Sequence, residues 1–119
     1  MLSGSVLTMA PPAQAEPPEQ HSNARATYYA VGVGVGACGD ANDDADFVVA
    51  LSPEQFGSYP DVKCGKYVSI SFRGKTHLAK VVDEQPGLPD DGLDMSTGLF
   101  SYFASLDEGT IYVDWHFVS

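Results

Sequence analysis

Val81–Ser96 reads VVDEQPGLPDDGLDMS. Two apolar residues run into Asp83, a loop rich in Pro, Gly and Asp follows, and Asp94 sits in a short apolar frame. The stretch ends at Ser96, a residue suited to cap a helix. The segment therefore places one carboxylate at each end of a tight loop. Two carboxylates brought close push their pKa values apart, leaving a protonated acid beside an ionised base, the pairing that glycosidases use. An Asp beside Pro and Gly also commonly caps a turn by accepting backbone N–H bonds. The residues alone leave both readings open.

On the upstream side, Tyr67–Phe72 (YVSISF) alternates apolar and polar, the period of a half-buried strand. Arg73-Gly74-Lys75 reads as a hairpin turn, and Thr76–Val82 returns as the partner strand. Further back, Phe47–Leu51 is a continuously apolar run that suits a buried strand. Ser52-Pro53-Glu54-Gln55 comes next as a helix start, with Ser as N-cap, Pro at N1 and Gln at N3 reaching back. Downstream, Ser96 or Thr97 caps a helix whose Leu99, Phe103 and Leu106 fall at i, i+4 and i+7. Ile111–Val118 closes the domain as a strand, with Ile111, Val113, Trp115 and Phe117 on one face; Trp115 and Phe117 are assigned to the core. The domain opens on Arg25–Ala30 (RATYYA), whose Thr and paired Tyr favour a strand. These elements sum to an all-β fold of about six short strands with two short helices, a spacing that suits a small closed barrel.

Residues 1–24 differ from the rest, with four of the eight prolines and no aromatic residue. Ala13-Gln14-Ala15 has the small-x-small form of a signal-peptidase site. This segment is expected to be an atypical secretory leader followed by a disordered linker, outside the domain at 25–119. Sixteen acidic residues against six basic give a net charge of −10, which argues against nucleic acid or an anionic membrane as partner. No apolar run approaches the roughly 20 residues of a membrane span.

Three constellations could carry chemistry. Asp83 with Asp94 is the first. Thr27 with Tyr28 and Tyr29 is the second: alternation sends one tyrosine inward and leaves the other beside Thr27, where an exposed ring would stack on a sugar. Histidine is the third: His21 lies in the tail, His77 on a strand, and His116 on the face opposite Trp115. No His pair has metal-ligand spacing and no Ser or Cys sits in a nucleophile elbow, so neither a metal nor another cofactor is expected. Gly32–Gly39 (GVGVGACG) matches G-x-G-x-x-G formally, but an acidic turn comes after it instead of a helix. Its glycines let the backbone turn tightly or approach a ligand. Asp40, Asn42, Asp44 and Asp46 alternate like a calcium loop, yet Ala45 and Leu51 occupy the positions that want Gly and Glu. Cys38 and Cys64 form either a disulfide or two buried thiols.

Taken in order, ATYYAVGVGVGACG, VVALSPEQF, CGKYVSI, GKTHLAKVVDEQPG and LDMSTGLFSYFASLDEGTIYVDWHFV resemble the expansin-like, barwin-like and rare lipoprotein A-like double-psi β-barrels. They are most similar to the small secreted fungal members called loosenins. The resemblance covers residues 25–119. It implies that Thr27, Asp83 and Asp94 line an open polysaccharide-binding groove, with Asp83 the candidate acid, and that Cys38 and Cys64 are disulfide-bonded. Tyr29 and Gln85 are carried as further groove residues.

Departures from the family pattern narrow the expected chemistry. The family's D-x-C-P-x-C loop has Gln85 and Leu88 at its two cysteine positions here. Bacterial expansins often carry an aromatic at the position of Gln85. Lytic transglycosylases of the rare lipoprotein A type need a His where this chain has Ser52, and family-45 endoglucanases need an additional Asp on the opening strand. Both departures point away from glycan cleavage. The expectation is a secreted, extracellular, monomeric double-psi β-barrel acting without hydrolysis on the cell-wall polysaccharides cellulose or chitin. A protein-binding module, such as a protease inhibitor or secreted effector, is the first alternative. A weak lytic glycanase working through Asp83 is the second.

Overall fold

The computed structural model describes residues 19–118. Six strands, β1 (His21–Tyr29), β2 (Val48–Leu51), β3 (Tyr67–Phe72), β4 (Lys75–Glu84), β5 (Leu93–Ser96) and β6 (Ile111–Phe117), close into a barrel in the order β1-β5-β2-β4-β3-β6. Helix α1 (Pro53–Phe56) follows β2 and α2 (Thr97–Phe103) follows β5. The expected all-β barrel with two short helices is the fold. Neighbours in the barrel are not neighbours in sequence, apart from the β3–β4 hairpin, whose turn holds Arg73 and Gly74 at positive φ.

Period-2 alternation builds the core. Val68, Ile70 and Phe72 on β3 and Ile111, Val113 and Trp115 on β6 point inward, and β2 and β5 contribute Val49, Leu51, Leu93 and Met95. Burying side chains of this size stabilises by roughly 1.5–3 kcal/mol each. Phe117 lies half-buried at the barrel edge, its ring edge-on to Trp115. A smaller apolar cluster of Val31, Val48 and Val82, with Tyr29 packed against it, covers the outer face where β2 and β4 pair.

Both helix starts follow from their caps. Ser52 Oγ accepts from the Gln55 N–H at 3.3 Å and Ser96 Oγ from the Leu99 N–H at 3.2 Å. The helix after β5 is shorter than expected: it ends at Phe103, so Leu106 falls in a separate 3₁₀ turn and is surface-exposed, while Phe100 joins Leu99 and Phe103 in the core.

The domain starts earlier than the sequence suggests. β1 begins at His21, not Arg25, and pairs with β6 through His21↔Trp115 and Ala24↔Val113. His21, expected in the tail, is buried and stacked on Trp115 with centroids 4.2 Å apart. A register shift between His21 and Ala24, with Asn23 at φ 55°, breaks the alternation that would have revealed the strand. His116, expected to be exposed, is half-buried. The expected leader and most of the linker, through Pro18, lie outside the described residues.

Candidate functional site

β1 and β5 run parallel with Thr27 opposite Asp94, and β2 runs antiparallel to β5 with Ala50 opposite the same aspartate. Asp94 therefore stands on the outer face with a strand on each side. Only 7% of its surface is exposed. The Thr27 hydroxyl donates to Asp94 Oδ1 at 3.0 Å. Burial pushes the Asp94 carboxyl above the ordinary carboxylate range, and the neighbouring Asp83 charge adds to the rise. The Thr27 bond, the polar Gln85 side chain nearby and the Arg25 guanidinium oppose that rise without cancelling it.

Asp83 lies near the C-terminal end of β4, paired with Ala50 where β2 and β4 shift register. Its Oδ1 accepts from two backbone N–H groups, Ala37 at 2.7 Å and Glu84 at 2.8 Å. The Tyr29 hydroxyl donates to Oδ2 at 3.3 Å. Burial first, and then the Asp83 charge and hydrogen bond, push the Tyr29 phenol well above its ordinary value. The glycine-rich segment makes this arrangement possible: a Cβ on Gly36 would lie 2.7 Å from the Val82 carbonyl oxygen and 3.0 Å from Asp83 Cγ. The close approach expected of these glycines is thus made to a carboxylate of the chain itself.

Thr27, Tyr29, Asp83, Gln85 and Asp94 are brought together on one face, with two hydroxyl–carboxylate pairs, Thr27–Asp94 and Tyr29–Asp83. The two tyrosines part as alternation requires. Tyr28 packs on the core, edge-on to Phe100, with its hydroxyl on the Leu106 carbonyl, and Tyr29 covers the outer cluster. Tyr29 is tethered to Asp83 and is not a freely exposed stacking ring. Ser52 is buried and donates to the Asp90 carbonyl, while Trp115 Nε1 donates to the Asp91 carbonyl at 2.9 Å. These two bonds hold the loop between β4 and β5 against the barrel. Cys38 and Cys64 are disulfide-bonded, fastening the loop after β1 to the one before β3.

The acidic loop behaves as a solvated turn. Asp44 Oδ1 accepts from the Gly32 N–H at 2.8 Å, and Asp46 Oδ2 from the Asp43 N–H at 2.9 Å. Among the described residues there is no cluster of three or more His, Cys, Asp or Glu arranged to hold a metal. Sequence reasoning missed a small cleft of about 120 Å³ beside Asp83, lined by Val31, Val35 and Val82 together with Tyr29 and Asn42. Its lining comes from three separated segments, and only the repeated glycines at 32, 34 and 36 hinted at a wall there.

Comparison with solved structures decides the fold. The chain superposes on the Streptomyces papain inhibitor with TM-score 0.76 and 27% identity, covering 85% of this chain and 96% of that one. The chain is a double-psi β-barrel. A mutant Clavibacter michiganensis expansin in complex with cellohexaose shares this barrel fold at TM-score 0.72 and 22% identity, over 85% of this chain and 51% of that one. In sequence the barrel is similar to "Allergen Asp f 7" of Aspergillus fumigatus, 38% identical over 96 residues, which is 76% of this chain and 34% of the relative. The chain spans about a third of the length of the curated relatives it matches. No protein-family model matches it.

Proposed function

We propose that this barrel is a secreted, loosenin-like protein that binds cell-wall polysaccharide, cellulose or chitin, along the face carrying Thr27, Asp94, Gln85, Asp83 and Tyr29, and loosens it without hydrolysis. The observation that carries this reading is two carboxylates on one surface, each bonded by a hydroxyl of β1, with burial raising the pKa of Asp94. The disulfide supports an oxidising, extracellular setting. The solved expansin complex with cellohexaose supports an oligosaccharide as the ligand class.

The family resemblance implies Asp83 as the acid; the burial of Asp94 supports Asp94 in that role. Its carboxyl proton would be offered to hydroxyls that hold one polymer chain to the next, while the Asp83 carboxylate, fixed by Ala37, Glu84 and Tyr29, accepts from a sugar hydroxyl. Neither step breaks a covalent bond. Retention on insoluble cellulose or chitin at low salt and mildly acid pH, without release of reducing ends, is expected. Asp94→Asn and Asp83→Asn should weaken it. No retention on either polymer would sink the proposal.

A protein-binding role is a second reading, favoured by Val33, Val35 and Tyr59, which are 84%, 65% and 89% exposed on the two loops joined by the disulfide. The Streptomyces papain inhibitor likeness supports it. Inhibition of papain that is lost in Val33→Ser/Tyr59→Ser and untouched by Asp94→Asn would favour this reading over the first.

A further inference from the structure

The cleft beside Asp83 is small: its volume of about 120 Å³ is comparable to the cavity of about 150 Å³ that takes up one benzene molecule, a space suited to a pendant group of a few heavy atoms. It opens from the carboxylate face, because Tyr29 and Asp83 belong to both.

Its lining has two chemical characters. Val31, Val35 and Val82 form an apolar wall; Val31 and Val82 are almost fully buried and Val35 is exposed at the rim. Asp83 Oδ2 and the Asn42 amide supply the polar groups. Among the described residues Oδ2 receives only the long Tyr29 bond, so a carboxylate oxygen with two acceptor sites keeps one for a ligand. The Asn42 amide nitrogen donates to the Asp40 carbonyl at 3.3 Å, which leaves its second N–H free to donate. An acceptor, a donor and an apolar wall around a space of this size match a secondary amide carrying a methyl group.

Resting on the polysaccharide reading above, we infer that this cleft is a subsite for the acetamido group of an N-acetylated amino-sugar polymer, so that the protein selects chitin over cellulose. The methyl meets the three valines, the amide N–H donates to Asp83 Oδ2, and the amide carbonyl accepts from Asn42. Cellulose offers only a hydroxyl at the same carbon, which would leave the valine wall against a polar group. A deacetylated sugar would bring an ammonium that pairs with Asp83 but leaves the valine wall uncovered and gives the Asn42 donor no acceptor.

The test is calorimetric titration of the full chain with three hexamers: fully N-acetylated chitohexaose, cellohexaose and the glucosamine hexamer. The acetylated hexamer should bind tightest. Asn42→Ala and Val35→Ser should each weaken it by about fivefold, the worth of one net hydrogen bond or a comparable loss of apolar contact, and leave cellohexaose binding unchanged. Methyl resonances of Val31 and Val82 in the wild type should shift with the acetylated hexamer and not with cellohexaose, a readout independent of both variants. Equal binding of chitohexaose and cellohexaose, preference for the free amine, or equal losses on all ligands would overturn the subsite while leaving the polysaccharide reading intact. Binding of none of the three overturns both.

Discussion

Gly36→Ala should cost far more than its single methyl group suggests. The segment Gly36–Cys38 is laid on the end of β4 by two bonds, Ala37 N–H to Asp83 Oδ1 at 2.7 Å and Cys38 N–H to the Val82 carbonyl at 3.2 Å. The new Cβ would sit 2.7 Å from that same carbonyl oxygen, and ordinary contact begins near 3.4 Å, so the segment must lift by about 0.7 Å. Lifting it stretches both bonds. The one to a carboxylate is worth about 1.5–3 kcal/mol and the neutral one about 1 kcal/mol. Restricting the unfolded chain returns about 0.4–1 kcal/mol. The net loss is roughly 2–3 kcal/mol, which lowers Tm by roughly 10–20 °C in a domain of this size. Gly34→Ala is the control: its Cβ meets nothing, and φ −164° is extended backbone open to any residue. Thermal unfolding followed by circular dichroism compares the two. If Gly36→Ala melts with Gly34→Ala, the segment is not held against Asp83 and the account of the carboxylate fails. Glycan retention should fall with Gly36→Ala in parallel, because Asp83 loses its fixed orientation.

Further expectations can be checked on the same preparation. Asp94 has a raised pKa in the folded state, so folding binds its proton more tightly; the stability it contributes is complete below the ordinary value of 3.8 and is lost as pH rises through the raised one. Asp94→Asn should therefore melt higher than the wild type at neutral pH, with the gap closing as pH falls toward 3.8; a gap that widens on acidification would contradict the burial argument. Polysaccharide loosening should fade over the same rise in pH and respond little to pH in Asp94→Asn. Absorbance titration should show a tyrosine component that stays un-ionised until alkaline unfolding, and Tyr29→Phe should remove it. Breaking the Cys38–Cys64 link by a double Ala substitution releases a loop with sequence separation 26, worth about 3.5 kcal/mol in the chain-entropy view, measurable as a shifted denaturant midpoint.

The strands that alternate cleanly were legible in the sequence. Tyr67–Phe72 is recovered at both ends, and Ser52 and Ser96 cap the helices they were expected to start. What escaped has local physical causes. His21–Ala24 is polar and bulged, and it becomes a strand because β6 offers an edge and Trp115 a ring to cover, neither of which is written locally. Leu106 fits helical spacing on paper but comes after the break at Ala104, whose backbone is extended. At the site, residue types and order were enough to nominate Thr27, Asp83 and Asp94. The burial that distinguishes Asp94 from Asp83 comes from the strands on either side of it, and the Asp83–Ala37 bond comes from a loop 46 positions away. Such contacts exist only after closure.

The cyclic order of the barrel carries a kinetic consequence. Thr27 and Asp94 are 67 positions apart and Tyr29 and Asp83 are 54 apart, yet both pairs meet across strands that seal the ring. The Thr27–Asp94 half of the site needs about two thirds of the described chain, and the Tyr29–Asp83 half more than half of it. Folding must close these long loops before their contacts are gained, which places the chain among slow folders. Amide protons around Asp94 should then exchange only through global unfolding, so their exchange rates report the lifetime of the entire ring.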